Sequence, residues 1–284
     1  MPAVNLERLE PGDLSARLSG AIVLDAREES AFAAGHLPEA GRMNLAEFRP
    51  RRFELPPRTA RVVVVHDEPE RAREAAEALV ALEYRHVAWL DAPLALVPRG
   101  HGSLEPAAPL WRPSPFLARV RPALSPGRAL DVAAGAGRES VHLAQHGWNV
   151  DAWDHDPDAL ERADALAARH GVRIATRVVH LEQVQHLPAG AAWNTIVVCR
   201  YLHRALFPWL EQALLPGGTL VYETFRRGQE AHGHPRQARY LLERGELLGA
   251  FPSLRVEVHE ESTAQGGPVM AHLLARRVDG GAPA

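Results

Sequence analysis

The densest chemistry in the chain lies between residues 127 and 160. The run GRALDVAAGAG (127–137) ends an apolar stretch in Asp131 and then turns through Gly135-Ala136-Gly137. Such a turn presents backbone N–H groups at the start of a helix, and its glycines let a ligand approach the main chain with no Cβ in the way. A second acid, Asp154, ends the next apolar run, NVDAWD (149–154). In an open α/β sheet ligands gather at the carboxyl ends of the strands, and an acid there can accept hydrogen bonds from both hydroxyls of a ribose. The glycine turn and the two acids therefore point to a nucleoside-containing cofactor. A dinucleotide fingerprint requires a third glycine, where this chain has Ser140. Asp131 is poorly placed beside a pyrophosphate and well placed beside an ammonium group. S-adenosylmethionine, with its α-amino group, sulfonium and ribose, matches that pattern of charge.

A second group of reactive side chains follows the run TIVVCR (195–200): Cys199, Arg200, Tyr201, His203 and Arg204. Glu223 stands late in the next run, TLVYETF (219–225). Methyl transfer from a sulfonium needs in-line alignment and exclusion of water, and a base only where the acceptor must lose a proton. His203 can serve as that base, and Arg200 or Arg204 can bind an anionic acceptor. Tyr201 and Glu223 complete the catalytic candidates. Each of these residues also suits an ordinary polar position at a strand–helix junction. The other histidines of this half (His142, His146, His155, His170, His232, His234) have no metal-ligand spacing, and no metal is expected.

The elements that must position these groups alternate. In the N-terminal part, AIVLDA (21–26) and RVVVVHD (61–67) read as strands, and four consecutive valines suit a strand buried on both faces. EPERAREAAEALVALEY reads as a helix with Pro69 in its first turn and Ala75, Leu79, Val80 and Leu82 on its apolar face, followed by a strand in HVAWLDA. In the C-terminal part, DPDALERADALAARHG (156–171) is a helix with Asp156 as N-cap, Pro157 at the first position and Gly171 as stop. IATRVVHL, TIVVCR and TLVYETF are strands, and LRVEVHEE and VMAHLLARR read as an antiparallel hairpin. Strands alternating with helices indicate α/β architecture with parallel sheets. The stretch VPRGHGSLEPAAPLWRPSPF, rich in Pro and Gly, reads as a linker. The expected division is 1–98, a linker over 99–118, and 119–284.

Composition limits the alternatives. The chain has 284 residues, 46% of them hydrophobic and 24% charged, as in ordinary globular proteins. Its net charge is −3, so no global basic field gathers nucleic acid or anionic lipid. All 32 basic residues are arginine, which excludes Schiff-base chemistry on lysine and a P-loop lysine. The one cysteine excludes an intrachain disulfide and a zinc site built from several cysteines. Without a signal-peptide pattern or a long apolar run, a cytoplasmic location is expected.

The residues quoted above carry a family resemblance. ALDVAAGAG resembles the first motif of class I S-adenosylmethionine-dependent methyltransferases. GRESVHLAQHGWNVDAWDHDPDAL (137–160) and TRVVHLE (176–182) are similar to the tellurite-resistance methyltransferase group. The resemblance covers about residues 111–278. It implies a Rossmann-like domain with a mostly parallel seven-stranded sheet whose last strand is antiparallel. It further implies that Asp131 stabilises the cofactor amino group, that Ala133, Gly135 and Gly137 line its methionine end, and that Asp154, with His155 beside it, holds the ribose. Leu181 and Glu182 would lie near the adenine, and Cys199 and Arg200 would close over the methionine moiety. Two departures stand out: Ala133 where glycine is usual, and His180 where an acid usually accepts from the adenine amino group.

The N-terminal part resembles a rhodanese domain in VLDAREESAFAAGHLPEA (23–40), with its Asp-x-Arg and Gly-His-x-x-x-Ala, and in VVVVHDEPERAREAAEAL. Sulfur transfer requires a thiolate at the end of this strand, and the residue there is His66, followed by the acidic Asp67, Glu68 and Glu70. The domain is therefore expected to be inactive in sulfur transfer and to dock a protein partner, regulate, or wall the cleft. The combined expectation is methyl transfer to a small-molecule or anionic acceptor. The alternatives are a non-catalytic S-adenosylmethionine-binding scaffold and a sulfurtransferase that uses Cys199.

Overall fold

The computed structural model describes residues 5–97, 103–262 and 267–278. The chain divides into two compact units, residues 1–112 and 113–284.

The first unit is built on a five-stranded sheet. Its elements are β1 (Asn5–Leu9), α1 (Leu14–Leu18), β2 (Ile22–Asp25), α2 (Glu29–Ala33), β3 (Gly41–Arg42), β4 (Arg61–Val65), α3 (Pro69–Ala81) and β5 (His86–Leu90). The strand order is β1-β5-β4-β2-β3, with every pair parallel. The valine run becomes the strand buried on both faces. Val62 and Val64 join one apolar layer and Val63 and Val65 the other, each contributing about 1.5–3 kcal/mol of burial. Helix α3 begins at Pro69, as the sequence indicates, and buries Ala72, Ala75, Ala76 and Leu79. Strand β1 was not expected. NLERL has no alternating apolar pattern, and it forms because backbone pairing with β5 at the sheet edge demands little of its side chains.

The second unit contains α4 (Pro115–Val120), β6 (Arg128–Val132), α5 (Arg138–Gln145), β7 (Asn149–Asp154), α6 (Pro157–Arg169), β8 (Ala175–Val178), β9 (Trp193–Cys199), α7 (Phe207–Ala213), β10 (Leu214–Phe225), α8 (Glu246–Gly249), β11 (Leu254–Glu261) and β12 (Met270–Arg277). The seven strands run in the order β11-β12-β10-β9-β6-β7-β8. Strand β12 is antiparallel to both neighbours, and the remaining pairs are parallel. The Rossmann-like fold class expected from the sequence is what the chain adopts. Helix α6 starts as read: the Asp156 side chain accepts the Asp158 N–H at 3.0 Å, with Pro157 first in the helix.

Two-residue alternation sorts the central strands. Leu130, Val132, Ile196, Val198, Leu220 and Tyr222 enter one core layer, which also holds the mutually packed Trp153, Trp193 and Trp209. Ala129, Val197, Cys199 and Val221 enter the opposite layer, with Phe116, Leu117 and Leu143 of α4 and α5. Asp131 and Glu223 share the parity of this second set, so the strands aim both carboxyls under α4 and α5.

The expected linker over 99–118 needs correction. Residues 99–102 lie outside the described set. Beyond them, His36 and Ser103 form a backbone bridge and Leu110 packs into the core of the first unit. Pro115–Val120 is a helix, with Phe116, Leu117 and Val120 buried in the second unit. Proline and glycine density suggested a spacer, but the apolar residues between the prolines are anchors. One turn of helix with Pro at its first position and Ser114 as cap is too short for periodicity to reveal.

Candidate active site

The carboxyl ends of β6, β7, β9 and β10 meet along one edge of the seven-stranded sheet. Strand β6 leads into Ala133, whose φ of 57° is left-handed without being glycine, and then into Gly135 and Gly137. A Cβ placed on Gly135 would point into open space. The glycine leaves this turn uncovered on that side. Gly137 differs, because a Cβ there would lie 2.6 Å from the Cβ of Ala163. Its small size lets the start of α5 press against α6, and packing explains that glycine without a ligand.

Asp154, at the end of β7, is 6% exposed. Its Oδ2 accepts the Gly135 N–H at 2.8 Å, and its Oδ1 accepts the Asp156 N–H at 3.0 Å. The exposed ring of His155 places Nδ1 3.1 Å from Asp154 Oδ1. Asp131 is buried, and its Oδ2 accepts the Ser140 hydroxyl at 2.6 Å. Burial, with the nearby charge of Glu139, pushes the Asp131 carboxyl up to about 8, while the Ser140 hydrogen bonds pull the other way. The serine that breaks the dinucleotide fingerprint thus serves this carboxyl.

The residues after β9 divide. Arg200, like Ala133, has a left-handed φ of 57°. Arg200, Tyr201, His203 and Arg204 line a cleft of about 940 Å³ with Glu182, Phe225, Arg236, Arg239 and Tyr240. Burial pushes the Tyr201 hydroxyl up to about 12, so it stays a proton donor near neutrality. His203 Nε2 is shielded from solvent and has no hydrogen-bond partner among the described residues. Arg204 was read as free to hold an acceptor, but its guanidinium is engaged. It grips the Glu246 carboxylate through two nitrogens and donates to the carbonyls of Arg239 and Leu241 at 3.2 and 3.0 Å. It therefore anchors the segment that carries Arg239 and Tyr240.

Glu223 also departs from its expected catalytic place. It is 3% exposed, is not among the cleft residues, and accepts the Ser114 hydroxyl at 2.6 Å. The Ser114 N–H in turn donates to Glu139 at 3.1 Å. Burial raises the Glu223 carboxyl above its usual range, and the Cys199 thiol hydrogen-bonds to it. Burial and the charges of Glu139, Glu223 and Asp131 raise the thiol well above its usual value, so Cys199 is no thiolate. Leu181 is buried in the apolar layer, Glu182 lines the cleft, and His180 is exposed. The sequence reading missed Arg236, Arg239 and Tyr240 because they sit in an irregular segment. Their signal was only the basic and aromatic composition of HPRQARY.

In the first unit the motif residues are structural ties. Arg27 makes a two-nitrogen pair with Asp25 and reaches Asp67 at 3.2 Å. Both ring nitrogens of His36 face backbone carbonyls, of Leu37 and Glu105, at 2.8 Å. His66 accepts the Glu68 N–H on Nδ1 at 2.9 Å, and burial lowers its pKa. It lines a 440 Å³ pocket with Arg27, Glu28, Asp67, Glu68 and Glu74. Among the described residues no group of three His, Cys, Asp or Glu side chains could hold a metal, and no helix is long and apolar enough to cross a membrane.

Comparison with known proteins agrees with this division. Residues 117–210 match the family described as tellurite resistance protein TehB, and residues 10–92 match the rhodanese-like domain. No protein of curated function matches the chain. Among solved structures, TehB from Haemophilus influenzae is 17% identical, with a TM-score of 0.47 over 57% of this chain and 61% of that one. An S-adenosylmethionine-dependent methyltransferase from Mesorhizobium loti is 22% identical, with a TM-score of 0.46 over 56% of this chain and 96% of that one. The N-methyltransferase NodS from Bradyrhizobium japonicum is 17% identical, with a TM-score of 0.48 over 58% of this chain and 93% of that one. Both resemblances read from the sequence, to the tellurite-resistance methyltransferase group and to rhodanese-like domains, are borne out.

Proposed function

We propose that the second unit transfers a methyl group from S-adenosylmethionine to a small acceptor bound in the cleft beside Arg200. The observation that carries this reading is the junction of Asp154 with the Gly135 turn, where a buried acid and an uncovered main-chain turn meet at one strand edge. The residues present suit that cofactor. Each carboxylate oxygen of Asp154 keeps a lone pair beyond its backbone bond, which suits ribose hydroxyls. Asp131 suits an ammonium, which would stabilise the ionised form of its carboxyl. S-adenosylmethionine, when bound, supplies a methyl group already activated on a sulfonium.

The protein's remaining work is orientation and proton handling. Glu182 borders the cleft after β8, on the side assigned to the adenosine. His203 Nε2 is free to take the proton of an acceptor hydroxyl, thiol or amine. Tyr201 and Arg200 flank the same cleft. Glu223 acts as a positioning residue, holding Ser114 and with it the start of α4. The first unit has no cysteine nucleophile, since the chain's one cysteine lies in β9, and burial, with the carboxyls around it, raises the Cys199 thiol, which weighs against the sulfurtransferase alternative.

A melting experiment tests the proposal. S-adenosylhomocysteine should raise the transition temperature of the full-length protein by mass action, and Asp154→Ala should remove that rise. No shift at millimolar ligand would sink the reading.

A further inference from the structure

The distribution of arginine pairing says more about the acceptor. Several arginines outside or at the rim of the cleft are held in ion pairs. Arg27, Arg51, Arg119, Arg128, Arg204 and Arg276 each hold a carboxylate. Three of the four arginines lining the cleft are not so held. Among the described residues Arg200, Arg236 and Arg239 form no ion pair within 4.0 Å; the charge of Arg200 acts on the buried Glu223 carboxyl, and the Arg239 guanidinium lies 4.7 Å from the centre of the Tyr240 ring. The one acid in the lining is Glu182. Three guanidinium groups without an ion pair, in one cleft lined by a single acid, are a concentration of positive potential.

The same cleft is lined by the aromatic side chains of Tyr201, Phe225 and Tyr240. It also holds a polar demand of its own, the shielded His203 Nε2, which a bound molecule would satisfy. Its volume of about 940 Å³ is that of roughly thirty waters at about 30 Å³ each. An inorganic oxyanion of four or five heavy atoms would leave most of that space to water, even beside the cofactor. Clefts of this size take molecules with an apolar body and a few polar groups.

Resting on the methyl-transfer reading, we propose that the acceptor is an organic anion with an aromatic body, its acidic group held by Arg200, Arg236 and Arg239. The guanidinium fork matches carboxylate and phosphate oxygens alike. The tyrosine and phenylalanine faces cover the body, and His203 faces the atom that gives up its proton. The acceptor's lone pair then forms the new bond to the methyl carbon, the electrons of the old carbon–sulfur bond stay on sulfur, and the proton goes to His203 Nε2.

The test uses the full-length protein saturated with S-adenosylhomocysteine. Calorimetry compares 4-hydroxybenzoate and phenyl phosphate with the neutral 4-hydroxybenzamide and phenol, and with sodium sulfate. At least one ring-bearing anion should bind tenfold or more tighter than its neutral counterpart and than sulfate, and the tighter of the two identifies the acidic group. Arg236→Ala with Arg239→Ala should remove that preference. Both side chains are exposed, and an unchanged S-adenosylhomocysteine melting shift would verify the fold. Three results would overturn the proposal: equal affinity for charged and neutral rings, sulfate bound as tightly as the rings, or no ring-bearing anion bound. In each of these, binding of S-adenosylhomocysteine leaves the methyl-transfer reading standing. Absence of that binding in the unaltered protein would overturn both.

Discussion

The Asp154 carboxylate receives the Gly135 N–H at 2.8 Å, so the end of β7 and the turn after β6 are fastened to each other before any ligand arrives. The fastening pre-orients the acid, and pre-orientation lowers the cost of binding. A hydrogen bond to a charged group contributes about 1.5–3 kcal/mol. Asp154→Asn, which keeps the shape and one acceptor oxygen, should therefore weaken S-adenosylhomocysteine about 10- to 100-fold. Titration calorimetry checks this, and undiminished affinity would remove Asp154 from the ribose site.

Asp131 sets the pH dependence. Its carboxyl sits at about 8 in the folded protein, against an ordinary value of 3.8. Below about pH 8 it must lose a proton to pair with an ammonium. Affinity for S-adenosylhomocysteine should thus climb from pH 6 to 8, by up to tenfold per unit, and then level off. The heat of binding should depend on buffer ionisation, and Asp131→Asn should flatten both trends. For folding the sign is opposite: an acid whose folded value is raised contributes stability fully present below about pH 4. That contribution is lost as pH rises through about 8, and urea titrations across this range read it.

The two glycines of the turn separate in stability. Gly137→Ala meets Ala163 at 2.6 Å in a left-handed backbone (φ 76°), whereas Gly135→Ala meets nothing and bears only backbone strain (φ 54°). Urea unfolding should show a loss of about 1 kcal/mol for Gly135→Ala, and about 2–4 kcal/mol for Gly137→Ala, where overpacking adds to strain.

Arg204 holds the 238–246 segment through Glu246 and two carbonyls. Arg204→Ala should speed amide exchange across residues 238–246 while leaving β6–β7 protection unchanged. Arg204→Lys should not restore protection, because an ammonium cannot reproduce the planar fork. Uniform exchange in the two proteins would place the anchor elsewhere.

Cys199, partly buried, should react slowly with a thiol reagent in the native protein and faster after denaturation, since a thiol held neutral is a poor nucleophile. Cys199→Ser should keep S-adenosylhomocysteine binding within about threefold. His66→Cys should not create thiosulfate sulfurtransferase activity, because Glu28, Asp67, Glu68 and Glu74 outnumber Arg27 and Arg71 around the pocket and oppose both a thiolate and an anionic donor. Rapid labelling of the folded protein would contradict this account.

The sequence made the sheet architecture and the glycine turn at its edge legible where periodicity or punctuation was strong. The valine run, the Asp156-Pro157 helix start and the Gly135 turn each obey one local rule, and the fold follows those rules. The misses share a different cause. Strand β1 depends on pairing with β5, and nothing in NLERL itself demands it. Arg204 and Glu223 were read by type and position, but their partners, Glu246 and Ser114, are 42 and 109 residues away. Only the folded chain determines which charged groups are already spoken for. Arg236 and Arg239 lie in an irregular stretch without a period, so their convergence on the cleft is a tertiary fact.

Ser114 bonds to both Glu223 and Glu139 from the first turn of α4. This makes residue 113, and not the expected 119, the seam of the second unit. A gene fragment starting at codon 119 would encode a domain in which the buried Glu223 lacks its hydroxyl donor and Glu139, on α5, lacks its amide donor. Recombination, natural or in the laboratory, can move this module intact only when the breakpoint falls upstream of the Ser-Pro pair. Six residues of what reads as spacer are thus inherited with the site.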